Sequence, residues 1–392
     1  MHIKILQLAY PNRYVNFYEI NRKIMYSYNY QIVYEQKQTQ VSYADLVSSF
    51  SRISDLKDKY EIFLFDAYGV FWDGSKLIKS TIEDMEALVK AGKKVIVVSN
   101  TTALGESAIK SYEKRGLKKG IHYTDFITSG DVFKSMIENG AIKKQLNIKE
   151  RKVRVYVHGK PNNALFSGEN GKQNFEIVDN LDNADAVYLS IPQYTKEEIK
   201  KLPNKKEIEQ DVKLSSLTKE GEPERWDSVS LEMFRPFLEE CKKRSLTLLN
   251  ANPDKVAPEK EKGTNPTVVN QVIRNGSLTE YYRQINGKVI ECGKPDIEIF
   301  KMALNKILED SSILEKSENR LNELKKKAVM IGDTPETDIL GGKNAGTDTA
   351  LFIGTGNTHE ILAPMNEAQK SEYLKEAIQK FKPTHIIDNP PY

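Results

Sequence analysis

Three apolar runs in this chain each stop at a small polar or acidic residue: "EIFLF" at Asp66, "KKVIVV" at Ser99 and Asn100, and "KKAVMIG" at Asp333. Runs this short and this apolar keep no polar face for water, so each reads as a strand buried on both sides. Between them, "TIEDMEALVKAG", "ESAIKSYEKRGL", "PDIEIFKMALNKIL" and "TDILGGKNAG" space their apolar residues three or four apart, which predicts helices. Strand and helix in alternation make a parallel sheet with helices on both faces. Ligands of such sheets sit beyond the carboxyl ends of the strands. One aspartate after a strand is usually a turn or helix-cap residue; three polar strand ends together point to a site.

The 392 residues exceed one typical domain. Residues 1–40, rich in Tyr, Asn and Gln, read as an amino-terminal extension. From Val41 the pattern changes, and Leu46, Phe50, Ile53 and Leu56 predict a helix before the first strand. Residues 41–130 read as the first part of a doubly wound α/β core. Residues 131–255 carry their own alternation, in "RKVRVYVHG", "NADAVYLSI", "SLEMFRPFLEECKKR" and "SLTLLNANPD", and read as an inserted α/β unit. Residues 256–392 return to the core, with "TALFIG" and "PTHIID" as further strands. The Lys-rich stretch from 196 to 225 reads as a solvated loop.

The 58 basic and 55 acidic side chains nearly cancel to +3, so no global field draws the chain to nucleic acid or a membrane. No stretch reaches the roughly 18 apolar residues of a span, and the opening residues lack the apolar core of a secretory signal. Two distant cysteines, Cys241 and Cys292, argue for a reducing compartment, and the five histidines are scattered. The expectation is a cytoplasmic protein with neither nucleic acid nor membrane as partner.

Four segments, in order, resemble the haloacid dehalogenase superfamily: "FDAYGVFWDG", "VVSNTT", "CGKPDIEIF" and "MIGDTPETDILGGKNAGTDTALFIGTG". With "NANPD" at 250–254, the chain is similar to class IIA, the pyridoxal phosphatase (chronophin)-like phosphatases, from about residue 45 to 392. The resemblance implies a Rossmann-like doubly wound parallel sheet with an inserted α/β cap domain. It implies Mg²⁺-dependent hydrolysis of small phosphorylated metabolites through an aspartyl-phosphate, and pairing of two copies through the cap.

Phosphoryl transfer needs an in-line nucleophile, positive charge on the phosphate oxygens and a bridging metal. Asp66 suits the nucleophile, and Ser99, with Asn100 beside it at a helix start, suits the phosphate. Lys294 suits pairing with both. "GKP" also occurs at 159–161, but only Lys294 precedes a predicted helix and the acidic motif, so Lys160 reads as a turn residue. By resemblance the Mg²⁺ ligands are Asp66, the main-chain carbonyl of Tyr68 and Asp333, with Asp338 behind them.

Tyr68 breaks the family pattern. An aspartate usually stands there and serves as general acid and base, help worth about 10²- to 10⁴-fold; a tyrosine, with an ordinary pKa near 10, is a poor base at neutral pH. Asp73 is a substitute in principle, against its plainer reading as a turn residue before Gly74. Two alternatives follow: a phospholigand-binding regulatory protein with little turnover, and a 2-haloacid dehalogenase, suggested by "DAYG". The second has no use for the intact acidic motif at Asp333 and Asp338.

Overall fold

The alternation of apolar runs becomes two parallel sheets. The computed structural model describes residues 52–160, 164–215, 221–263, 269–310 and 318–388. The expected extension at 1–40 lies outside them, as do Leu46 and Phe50; of the helix expected there, Ile53–Leu56 forms a short 3₁₀ turn.

The strands run, in chain order, β1 (Ile62–Phe65), β2 (Lys94–Ser99), β3 (Asp125–Thr128), β4 (Val153–His158), β5 (Phe175–Val178), β6 (Ala186–Leu189), β7 (Tyr194–Thr195) and β8 (Val212–Leu214). They continue with β9 (Arg225–Ser228), β10 (Thr247–Asn250), β11 (Val256–Lys260), β12 (Val269–Ile273), β13 (Lys288–Glu291), β14 (Ala328–Gly332), β15 (Asp348–Phe352) and β16 (His385–Ile387).

The first sheet has the order β16-β15-β14-β1-β2-β3, parallel throughout. Its strands alternate between two apolar clusters, because successive side chains point to opposite faces. Ile62 and Leu64 enter one, with Ile299, Phe300 and Leu304 of helix Ile297–Asp310; Phe63 and Phe65 enter the other, with Met85 and Leu88 of helix Lys79–Lys90. This is the doubly wound arrangement expected from the sequence.

The second sheet, β13-β10-β6-β4-β5, is also parallel and lies within the inserted segment. Phe133 of helix Ser129–Glu138 joins the sheets, since the cluster holding Ile62 and Leu64 continues through it to Val153, Val155, Phe175 and Tyr188. The strand order corrects one expectation. Residues 256–291 do not return to the first sheet at 256, because β13 pairs in parallel with β10, Thr247 opposite Lys288, after a crossover through helix Asn275–Gln284. A four-residue strand, Lys-Val-Ile-Glu, is too short to announce which sheet it joins.

Two further pieces complete the insert: the sheet β7-β9-β8 and the antiparallel hairpin β11–β12. A buried ion cluster ties them together. Arg274, just past β12, pairs with Asp227 of β9 at 3.2 Å and with Glu259 of β11 at 2.5 Å. Among the described residues no helix is long and apolar enough to cross a membrane.

His158, at the end of β4, is buried with its ring stacked 3.6 Å from Phe237 and its Nε2 3.2 Å from the Tyr194 hydroxyl. Burial pulls its pKa down to about 3. The native imidazole therefore stays neutral, while the unfolded chain takes up a proton below about pH 6.5. Stability is retained above that pH and lost as pH falls toward 3. Between pH 7 and pH 5, urea unfolding should show His158→Gln losing about 2 kcal/mol less than the parent chain; equal losses would remove His158 as the cause.

Candidate active site

Parallel strands carry their ends to the same rim. Phe65 lies opposite Val97 on β2 and Ile331 on β14, and the Asp66 N–H donates to the Ile331 carbonyl at 2.9 Å. One residue past the paired segments stand Asp66 and Asp333, with Ser99 closing β2 beside them. Ser99 and Asn100 are buried.

Lys294 is 1% exposed and enters from the loop after β13. Its Nζ lies 2.6 Å from Asp66 Oδ1 and 2.8 Å from Asp338 Oδ1, and donates to the Val98 carbonyl at 2.8 Å. Burial alone would lower its pKa, but the charges of Asp338, Asp66 and Asp254 hold the ammonium above the ordinary lysine value. Lys160 instead pairs with Glu222 inside the insert, at 2.5 Å.

The Asn100 side chain is engaged by the lysine loop and by Asp254. Its Oδ1 accepts from the Lys294 N–H at 2.7 Å, and its Nδ2 donates to the Lys294 carbonyl at 3.0 Å and to Asp254 at 2.8 Å. The side chain thus clamps the lysine loop. Burial pushes Asp254 up to about 6, against the pull of Lys294. "NANPD" was legible as a motif, but nothing in it said that its aspartate would meet Asn100.

Asp333 and Asp338 are fully buried. Ligand atoms of Asp66, Asp333 and Asp338 lie within 4.8 Å of one another. Burial first, then repulsion from Asp66 and Asp338, raises Asp333 well above the carboxylate range; burial, countered by Lys294, brings Asp338 up to about 7. Three carboxyls beside one ammonium would, if all ionised, carry an excess of negative charge, which is what raises these values and what a cation would offset. The donors are all hard oxygens, the set that Mg²⁺ prefers, so the residues fit that ion.

Asp333 is held by a loop that sequence reasoning passed over. The Asn357 N–H donates to Asp333 Oδ2 at 2.5 Å and the Thr358 hydroxyl to the Asp333 carbonyl at 2.6 Å. Thr355 Oγ1 donates to the Gly69 carbonyl at 2.6 Å, tying this loop to the Asp66 loop. Gly69 and Gly356 flank the carboxylate with φ of +82° and +79°, and a Cβ on either would collide with Asp333 Oδ2. The only sequence signal was the glycine spacing in "GTG" at 354–356.

Tyr68 is half-buried and its hydroxyl donates to the carbonyl of Pro258, in hairpin strand β11. Burial, then the charge of Glu259, raises its pKa. Asp73 accepts from the Ser75 N–H at 2.7 Å, the Ser75 hydroxyl at 2.8 Å and the Lys76 N–H at 2.8 Å, which is a turn.

Two family models match the chain: haloacid dehalogenase-like hydrolase over residues 63–166 and HAD-hydrolase-like over residues 291–389, together more than half of it. The chain belongs to the haloacid dehalogenase superfamily. Within that superfamily its insert lies between the Ser-Asn strand and the lysine loop, as in class IIA. Phosphoglycolate phosphatase 1A, chloroplastic, of Arabidopsis thaliana is 25% identical over 326 residues, 82% of this chain and 76% of that protein. The 4-nitrophenylphosphatase of Schizosaccharomyces pombe is 32% identical over 104 residues, 26% of this chain and 35% of that protein. A haloacid dehalogenase-like hydrolase from Brucella suis 1330 shares the fold, with a TM-score of 0.59 at 20% identity over 86% of this chain and 98% of that one.

Gly356→Ala should destabilise the protein by at least about 1 kcal/mol, from the left-handed backbone alone, and weaken Mg²⁺ binding by displacing Asp333. Thermal melts and titration calorimetry with Mg²⁺ check this; an unchanged Mg²⁺ affinity would show that the glycine does not shape the carboxylate's seat.

Proposed function

We propose that this chain hydrolyses small phosphomonoesters with Mg²⁺, through a phosphate transiently carried on Asp66. The chain is a phosphatase by superfamily and by its relatives; the route, the metal and the residue roles are the proposal. One observation carries it: a buried ammonium, Lys294, within 2.6 Å of Asp66, beside three carboxylates whose ligand atoms lie within 4.8 Å of one another. A merely structural salt bridge needs no second and third buried acid, and surplus buried charge of one sign is costly unless something compensates it.

In this reading Asp66 attacks phosphorus in line with the leaving oxygen. Lys294 neutralises the nucleophile and the phosphoryl oxygens, and its loop is held in register by Asn100 and Asp254. Ser99, with N–H groups beyond β2, supports the transferring phosphate. Asp66, the Tyr68 carbonyl and Asp333 would ligate Mg²⁺, with Asp338 behind them. When bound, the ion supplies positive charge where nucleophile and phosphate would otherwise repel. The same acidic set argues against halide displacement from carbon, which has no use for it. The inserted unit, reaching Tyr68 through its hairpin, stands where it would choose among substrates.

The tie between Tyr68 and Pro258 favours a second reading, a phospholigand-binding protein with little turnover. Purified protein should release phosphate from 4-nitrophenyl phosphate only with Mg²⁺, Asp66→Asn should reduce release to background, and acid quenching should trap phosphate on the parent chain. Phosphate binding that survives with no turnover in either protein would transfer the conclusion to the binding reading.

A further inference from the structure

Hydrolysis of an ordinary alkyl phosphate needs a proton for the departing alkoxide, and the described groups around Asp66 are otherwise engaged. The side chain two residues past Asp66 is Tyr68, and its hydroxyl is committed to the Pro258 carbonyl. It lies over Gly74, where a Cβ would meet it at 2.6 Å, so the phenol leans toward the turn and hairpin. Asp73 is occupied by Ser75 and Lys76 in that turn. Glu259, next to Pro258, is paired with Arg274 at 2.5 Å. Asp254 accepts from Asn100, which clamps the lysine loop, and Asp333 and Asp338 belong to the acidic cluster. Among the described residues the histidines do not fill the gap: His122 Nδ1 accepts from the Lys118 N–H, His158 is stacked on Phe237 in the insert, His359 Nδ1 lies at the Ile353 carbonyl, and His385 is at Tyr60.

We propose that the substrates of this site are phosphates whose leaving oxygen departs without a proton, aryl and enol monoesters or acyl phosphate anhydrides, and that alkyl phosphates are poor substrates because the Tyr68 hydroxyl is held by Pro258. This rests on the phosphatase reading above. In the first half-reaction an Asp66 oxygen–phosphorus bond forms and the phosphorus–leaving-oxygen bond breaks, the electron pair leaving as phenolate, enolate or carboxylate, which equilibrates with bulk water. In the second, water attacks phosphorus, the Asp66–phosphorus bond breaks, the carboxylate is regenerated, and the water's proton passes to a phosphate oxygen. No step draws a proton from the protein. The hairpin of the insert, by taking Tyr68 away, thus sets the chemistry as well as the shape of what is hydrolysed.

The test is a leaving-group series with Mg²⁺ and the full chain: 2,4-dinitrophenyl, 4-nitrophenyl, phenyl and ethyl phosphate, read as kcat/KM, which reports the first transfer. The expected profile falls steeply from dinitrophenyl to ethyl phosphate. Tyr68→Asp, placing a carboxyl where the acid belongs, should narrow the aryl-to-ethyl ratio by about 10²-fold or more, the usual worth of general acid help. Tyr68→Phe, which keeps the packing, should leave the ratio unchanged. A flat series in the parent chain, still dependent on Asp66, overturns the proposal and leaves the phosphatase reading standing. A series that steepens in Tyr68→Phe, or is flat and steepens in Asp254→Asn, also overturns it by naming the acid. No Mg²⁺-dependent release even from dinitrophenyl phosphate takes down both readings.

Discussion

The site depends on a lysine buried among acids. Lys294 Nζ touches Asp66, Asp338 and the Val98 carbonyl at once, bridging strands β1 and β2 and the turn after β14. An ammonium this buried persists only where carboxylates surround it, and those carboxylates persist only with positive charge nearby. The two requirements are mutual. They bring together residues more than 200 positions apart in the chain and leave a cluster of acids beside the ammonium.

Around that pairing the backbone does much of the work. Gly69 and Gly356 let two loops close on Asp333, and Asn357 and Thr358 hold its carboxylate and carbonyl. Asn100 binds both main-chain polar groups of Lys294, so the lysine's entry angle is fixed by hydrogen bonds rather than by packing alone. A carboxylate held on several sides loses little further freedom when a ligand arrives, which is the general advantage of a preorganised site.

The insert reaches this machinery from the other side. Its hairpin β11–β12 is anchored by Arg274 between Asp227 and Glu259, and one carbonyl along that anchored strand, at Pro258, receives the Tyr68 hydroxyl. The residue that departs from the family pattern is thus among those that contact the insert. A side chain placed to join two parts of the fold is not placed to donate protons to a substrate.

The doubly wound sheet was legible because buried parallel strands must be apolar along their whole length, and Asp66, Ser99 and Asp333 were legible because polarity at a strand end breaks that rule. Asn357, Gly356 and Asp254 were not singled out: each acts through a loop, and loop side chains obey no periodicity. The limit of the insert escaped too, since Lys288–Glu291 is a strand whose partner, β10, is decided by a crossover helix. By itself, then, the sequence determined the strands, their polar ends and the kinds of chemical group available, all properties of local pattern. Only tertiary structure decided that Lys294 is shared between Asp66 and Asp338, that Asn100 serves the lysine loop, and that Tyr68 is turned to Pro258. Contacts between distant segments depend on how sheets and loops close in space, and neither composition nor spacing encodes that closure residue by residue.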